Sequence, residues 1–408
     1  DDRWVSEFSI PFRSIRYFGG DSEWGINFGR QDLKNNEKSA WAPVPRQFPH
    51  CSLPYVGTLI WDKPREDAGL RFSIIPYVIG KVTRVNETGE TTKWSKNAGF
   101  DAKMILSTKM NLDLTINPDY SQVEVDKQQT NLDRYELFFP EKRQFYLENS
   151  DLFANLGTER VRPFFSRRIG LENPVLAGAR LSGNIGNRWR IGIMDIQTAK
   201  KEEIHAANYL VAALQRQVFS RSNITAFVIN KQVMNVKEDE TFTGNKYNRV
   251  AGIEYNLASN DNRWNGKVYY HQNIPEDISF KDAALAANIS YSSQFMSASM
   301  NQALTGEGFN AETGYIRRKG YYQLNGSFQY KFFPKESKLI SHGPGVKIDT
   351  YMDPYSSFLL TDRETLLSYN FDWLNKSSFS IDFKENYIKL LAPFDPTNTD
   401  GLQLAAGE

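Results

Sequence analysis

From Leu70 onward, apolar and polar residues alternate with a period of two, and this constrains the fold more than any other feature of the chain. Tyr322, Leu324, Gly326, Phe328, Tyr330 and Phe332 form one set, and Gln323, Asn325, Ser327, Gln329 and Lys331 interleave with it. Successive side chains of a strand point to opposite faces, so the pattern predicts half-buried antiparallel strands. Trp189, Ile191 and Ile193 repeat it, as do Ala251, Ile253, Tyr255 and Leu257, then Leu367, Tyr369, Phe371 and Trp373, then Phe379, Ile381 and Phe383. A soluble sandwich turns its polar face outward, whereas a barrel with a water-filled interior turns it inward. Alternation is the same for both. Three features favour the barrel: strands of about ten residues, the length a tilted membrane strand needs; roughly fourteen of them, too many for one sandwich; and aromatic residues gathered near strand ends.

The connections are of two kinds. SGNIGNR, SRSN and ASNDNR are short and rich in turn formers, whereas NKQVMNVKEDETFTGNKYN and KFFPKESKLISHGPGVK read as long polar loops. Short turns at one end and long loops at the other are the rule for outer-membrane barrels. Aromatics make up 13% of the chain, which suits aromatic girdles at two membrane interfaces. No run approaches 18 apolar residues, so no transmembrane helix is expected. The opening, DDRWVSEFSI, reads as the middle of a strand, with any export signal expected upstream.

Charge and rare residues exclude other classes. Lys plus Arg number 49 and Asp plus Glu 48, so there is no basic excess for nucleic acid. One cysteine, Cys51, and 4 histidines leave little for a metal centre, and no metal or cofactor is expected. No GxSxG frames a serine, and His205, His271 and His342 show no spacing that suggests a triad, so no catalytic residue is assigned.

Residues 117–153 break the alternation: NPDYSQVEVDKQQTNLDRYELFFPEKRQFYLENSDLF is charge-dense, punctuated by Pro118 and Pro140, and carries aromatic pairs beside ions. Such a segment needs partners for both kinds of group, and the inside of a wide polar barrel supplies them. NPDYSQVEVD, ELFFPEKRQFYLENSDLF, GARLSGNIGNRWRIGIMDIQTA, LQRQVFSRSNITAF and NLASNDNRWNGKVYYH together resemble a family of Bacteroidota outer-membrane β-barrel proteins with an N-terminal carbohydrate-binding-family-9-like β-sandwich. The likeness runs over roughly 101–271, with a weaker echo at GFNAETGYIRRKGYY. It implies an all-β chain: residues 1–50 as the closing strands of the sandwich, and residues 51–408 as a transmembrane antiparallel outer-membrane β-barrel of about 14 or more strands. Pro43, Pro45 and Pro49 suit an extended linker, with a boundary near 45–55.

Three constellations are singled out. Asp119, Glu124, Asp126, Glu141, Lys142, Arg143, Glu148, Asn149 and Asp151 carry both signs and read as a lumenal structural network rather than a substrate path. Arg160, Arg162, Arg167 and Arg168, flanked by Phe164 and Phe165, are candidates for lipid phosphates, with interface snorkelling or pairing with the acidic cluster as the plainer reading. Trp4, Trp24 and Trp41 are candidates for stacking on sugar rings, with strand packing as the plainer one.

The functional expectation is a non-enzymatic outer-membrane barrel that recognises or handles envelope glycan or imported carbohydrate, in contact with outer-membrane lipid and lipopolysaccharide. An accessory subunit of an outer-membrane assembly, such as barrel-assembly or secretion machinery, with a plugged lumen and other outer-membrane or periplasmic proteins as partners, is the alternative. An outer-membrane glycan hydrolase is the third reading.

Overall fold

The computed structural model describes residues 5–12, 17, 20–35, 37–64, 71–83, 93–107, 109–118, 126–131, 135–234, 236, 244–335, 337–393, 395 and 404–407. One 15-stranded antiparallel sheet dominates. Its strands, in chain order, are β1 Arg71–Thr83, β2 Lys93–Ser107, β3 Met110–Ile116, β4 Val175–Ile185, β5 Trp189–Thr198, β6 Ala207–Val218, β7 Ser222–Val233, β8 Tyr247–Ala258, β9 Trp264–Asn273, β10 Ala283–Ser292, β11 Met296–Thr305, β12 Tyr321–Tyr330, β13 Leu339–Asp353, β14 Leu359–Trp373 and β15 Ser378–Ile388. Each pairs with the next in sequence, so the sheet is a meander with no crossover. The first and last strands are not hydrogen-bonded to each other: the sheet is not closed. Among the described residues no helix is long and apolar enough to cross a membrane.

Register puts the two residue sets on opposite faces throughout. One face carries a row of apolar side chains, Val228, Ile253, Val268, Ile289, Met300, Phe328, Ile348, Leu367 and Ile381, whose exposure runs from 41% at Phe328 to 58% at Ile381. The other carries Asn288, Ser290, Ser299, Asn301, Asn325, Ser327, Ser368 and Asn370 across β10 to β14. These polar residues satisfy one another across strands, as where Ser299 Oγ lies 2.7 Å from Ser327 Oγ. On β5 to β9 the same face is apolar and buried, through Met194, Ile196, Tyr209, Val211, Phe227, Ile229, Val250 and Tyr269.

The short turns, 186–188, 219–221, 259–263, 293–295 and 374–377, all fall on one rim. The longer connections that follow β5, β7, β9 and β11 fall on the other. KFFPKESKLISHGPGVK does not form the long loop its composition suggests. Leu339 onward is strand β13, and its remaining connection lies on the short-turn rim. Pairing of β13 with β14 holds this Pro- and Gly-rich stretch extended, and Pro344 sits just beyond Gly345, where regular pairing with β12 stops, so its missing N–H breaks no ladder bond there. Aromatic residues ring both rims: Trp189, Trp264, Phe295 and Trp373 at the short-turn end, and Tyr247, Phe280, Tyr322 and Phe358 at the other.

Two small ribbons precede the sheet. Glu23–Ile26 pairs with Gly57–Ile60, and Gly29–Asp32 with Glu37–Ala40. The first ribbon therefore reaches past the linker expected near 45–55. Residues 5–11, expected to alternate as a strand, form none, because no described strand pairs with them, and Val5 and Phe8 stand exposed. This part leans on the short-turn rim. Tyr55 Oη donates to Asp261 O at 2.6 Å, Lys376 Nζ donates to Leu33 O, and the Arg46 guanidinium lies 5.2 Å from the Phe333 ring centre.

Candidate functional site: an inner segment clamped to the sheet

Between β3 and β4 the chain leaves the sheet and packs on its inner face. Tyr146, Leu152, Phe153, Leu156, Val161, Phe164, Ile169 and Val175 form a single apolar cluster with the inward side chains of β5 to β11. Full burial of such side chains contributes roughly 1.5–3 kcal/mol each, so this docking is strong. Two one-turn helices, Gln144–Leu147 and Asp151–Ala154, present Tyr146, Leu152 and Phe153. Gly192 on β5 makes room for them: a Cβ there would lie 2.7 Å from the Phe153 ring.

Ionic and polar bonds hold the segment from end to end. Arg143 forks onto Glu141, with Nε 2.9 Å from Oε1 and Nη2 2.7 Å from Oε2, and it also donates to Ile169 O and Ser166 O at 2.7 and 2.6 Å. Ser166 Oγ donates to Glu141 Oε2 at 2.6 Å. Burial pushes the Glu141 carboxyl up, but the bonds and charge of Arg143, with help from Ser166, hold it below its ordinary value. Lys103 on β2 pairs with Glu148, Asn149 donates to Ser182 Oγ at 2.7 Å, and Arg190 on β5 donates to Asp151 at 2.7 Å. Arg180 on β4 pairs with Asp113 opposite it on β3 at 2.7 Å and also donates to Phe145 O.

Midway, three inward side chains grip the loop after the second helix. Glu254 on β8 accepts the Gly157 N–H at 2.5 Å. Lys267 on β9 donates to Asn155 O at 2.5 Å, Gly157 O at 2.9 Å and Glu254 Oε2 at 2.9 Å. His271 Nε2 lies 2.9 Å from Glu254 Oε1 and its ring stacks on Tyr269, centres 4.2 Å apart. The carboxylate is an acceptor only, so Nε2 carries the proton. The buried Glu254 charge thus meets one ammonium and two N–H donors.

The sequence candidates divide clearly. Glu141, Lys142, Arg143, Glu148, Asn149, Asp151 and Asp126 belong to the inner segment between β3 and β4. Asp119, Glu124 and Trp4 lie outside the described residues. The arginines face carboxylates or rings of the protein: Arg160 meets Asp349 at 3.1 Å, Arg167 meets Asp126 at 2.6 Å, Arg168 meets Glu136 at 2.5 Å, and Arg162 lies 4.5 Å from the Phe138 ring centre. Lys142 also reaches Asp126, at 3.3 Å. Hydrogen bonding from Arg167 holds the Asp126 carboxyl below its ordinary value. Trp24 packs edge-on to Trp61 and Phe12, while Trp41 contacts Phe28 and is largely exposed. Among the described residues, Trp24 and Trp41 lie in the part before the sheet, apart from the four arginines of the inner segment.

Sequence reasoning missed Glu254, Lys267, Arg180, Asp113 and Asp349, and considered His271 only as a strand histidine without a catalytic partner. One signal was available: each is an ionisable residue at inward parity on a strand. Among the described residues no group of three or more His, Cys, Asp or Glu is placed to hold a metal ion.

The inner segment fills the side lined by β4 to β9, and among the described residues cavities remain along β10 to β15, one of them of about 290 Å³ between Gln329, His342 and Asn370. A larger one of about 780 Å³ opens at the short-turn rim beside Arg46 and is lined by Ser292, Gln329, Ser341, Asp372 and Trp373. Another of about 230 Å³ lies toward the long-loop rim between Tyr135, Arg160, Arg318, Tyr351, Asp362 and Asn386.

These features define an all-β protein whose antiparallel sheet carries its own inner segment. A domain family described as of unknown function (DUF5916) matches residues 68–182. The matched region, a little over a quarter of the chain, is a structural unit: β1 to β3, the inner segment and most of β4, including Lys103, Asp113, Arg180 and Ser182, which hold that segment. No curated protein matches the chain.

Proposed function

We propose that this chain is a bacterial outer-membrane β-barrel protein, with wall and plug in one polypeptide, that recognises or handles glycans without catalysing their turnover. The observation that carries the membrane reading is the outer apolar band. The row from Val228 to Ile381 crosses the nine strands β7 to β15, and at ~4.8 Å per strand it is about 40 Å long. Soluble monomers rarely expose a contiguous apolar patch above a few hundred Å². Most of the sheet's strands have 10 to 15 residues, enough to cross a hydrocarbon core when tilted. Polar side chains inside, aromatic rings at both rims and short turns on one of them support the same reading. In lipid the unpaired N–H and C=O groups of β1 and β15 have no water, so the two edges meet or are covered there.

The glycan part rests on the resemblance of residues 101–271 and on the polar inner wall that the plug leaves uncovered. A second reading, an accessory subunit of an outer-membrane assembly, is favoured by the plug itself, since a clamped segment across half the inner wall opposes conduction.

The test is fractionation of the native protein with a heat-modifiability gel, then affinity purification in mild detergent with a glycan array on the product. A carbonate-resistant, heat-modifiable band that binds glycan supports the proposal. A protein extracted by carbonate refutes the membrane reading. A near-stoichiometric set of envelope partners with no glycan binding favours the accessory role.

A further inference from the structure

We infer that the cavity bounded by Arg160, Arg318, Tyr351, Asp349, Asp362 and Asn386 is a binding site for one neutral pyranose unit of a glycan, an inference that rests on the glycan-recognition reading above. Its volume, about 230 Å³, falls just below the ~300–1,000 Å³ typical of drug-sized ligands and so suits a single ring.

Its charged lining is engaged within the protein. Arg160 pairs with Asp349 at 3.1 Å, Arg318 with Asp362 at 2.6 Å, Arg363 with Glu385 at 3.1 Å and Glu364 with Lys384 at 2.9 Å, while Arg317 lies 5.4 Å from the Tyr135 ring centre. An entering anion would compete with those aspartates for the guanidiniums, and an entering cation with the arginines for the carboxylates. A neutral hydroxyl displaces neither, and burying it adds no uncompensated charge.

The cavity also keeps hydrogen-bonding capacity in reserve. Arg160 reaches Asp349 through Nη2, while its Nε and Nη1 donate to no other described residue. Asp349 accepts Gln323 Nε2 at 2.6 Å on Oδ1 and Arg160 on Oδ2, leaving a lone pair on each oxygen. Asn386 stands opposite Glu364 in register, at inward parity, and its carboxamide bonds to no described residue. Donor and acceptor therefore sit side by side. A hydroxyl is both at once, and adjacent ring hydroxyls present the same pairing from the ligand.

An apolar patch completes the site. Arg318 at 4.8 Å and Arg160 at 5.3 Å lie over the Tyr351 ring and Tyr321 packs beside it at 5.4 Å, so that ring seats the guanidiniums, and the apolar surface open to a ligand is Ile388, 53% exposed. A pyranose offers an apolar C–H face as well as a hydroxyl rim, and an aliphatic side chain beside ion pairs matches both.

The experiment is a glycan array probed with the full chain in detergent, followed by calorimetry on each hit. Trigalacturonate and inorganic phosphate serve as anionic comparators. Wild type, Arg160→Gln and Asn386→Ala are compared, and Asn386→Ala breaks no bond to a described residue, so it tests the site if Arg160→Gln fails to fold. The expected result is binding of a neutral glycan, weakened about tenfold or more by each variant. Neutral-glycan binding unchanged by Asn386→Ala overturns the site while leaving glycan recognition intact. Binding of the anions alone overturns the assignment to a neutral ring. Binding of no glycan by the wild type overturns both the site and the broader reading.

Discussion

Lys267→Met tests whether the Glu254–Lys267–His271 clamp holds the inner segment on the wall. The lysine side chain is 16% exposed, the glutamate 1% and the histidine 0%, so the pair is effectively buried. Removing one partner of a buried pair costs about 3–5 kcal/mol, because the other charge stays behind. The lost bonds to Asn155 O and Gly157 O act in the same direction, but they share one ammonium, so the terms do not simply add. Taking the lower bound, about 3 kcal/mol, the open form of the 155–161 loop should rise roughly a hundredfold. Hydrogen exchange at Gly157 reads this directly, since that N–H is donated to Glu254. The double variant Glu254→Gln with Lys267→Met removes both charges and should recover a large part of the loss. A single variant whose Gly157 protection falls less than threefold, in a protein that still folds, would refute the clamp. Planar-bilayer recording of the same variant asks whether loosening the segment admits ions.

Gly157→Ala should loosen the segment further still. Gly157 has φ +74° and an added Cβ would lie 2.0 Å from Val161 O, so the left-handed strain of about 1–2 kcal/mol is a floor, read as faster proteolysis near 155–161. The Glu141 carboxyl is held below its ordinary value near 4.5, so its contribution to docking is full above that pH and fades as pH falls through the lower bound-state value. Protease protection of the segment should drop in acid, and Glu141→Gln should flatten that dependence. In membranes, cysteines at Val78 on β1 and Ile381 or Phe383 on β15, with Cys51 replaced, should be joined by a short bismaleimide. Absence of the cross-link at every pair tried would mean that the two edges do not meet. Tyr269→Phe should leave docking within about 1 kcal/mol, because its ring stacks on His271 and the substitution keeps that contact.

Period-two alternation was enough to write the sheet. Tyr322 to Tyr330, Trp189 to Ile193 and Leu367 to Trp373 occupy strands on the faces their spacing assigned, because side-chain direction in a strand is set locally by the pleat. The break at 117–153 was equally legible, since neither period fits it. Within it, the mixture of Glu141, Arg143, Tyr146 and Phe153 already demanded both ionic and apolar partners. The extended course of 339–347 was not legible. Gly343, Pro344 and Gly345 read locally as loop, and only pairing with β14 makes them strand.

What tertiary structure alone decided is which residues meet. Arg180 and Asp113 are 67 positions apart, and Gly157 and Glu254 are 97 apart, so nothing in local spacing links them. Arg160 finds Asp349 across 189 residues, and together they line one side of the smaller cavity. Alternation says that Glu254, Lys267 and Asp349 lie on the polar face. It cannot say which backbone carbonyl or guanidinium they will satisfy, because that depends on how the strands register and on where the inner segment comes to rest. The periodicity of the chain thus determined the sheet and its two faces, while long-range register and packing determined the clamp, the seat of the inner segment and the cavity beside it.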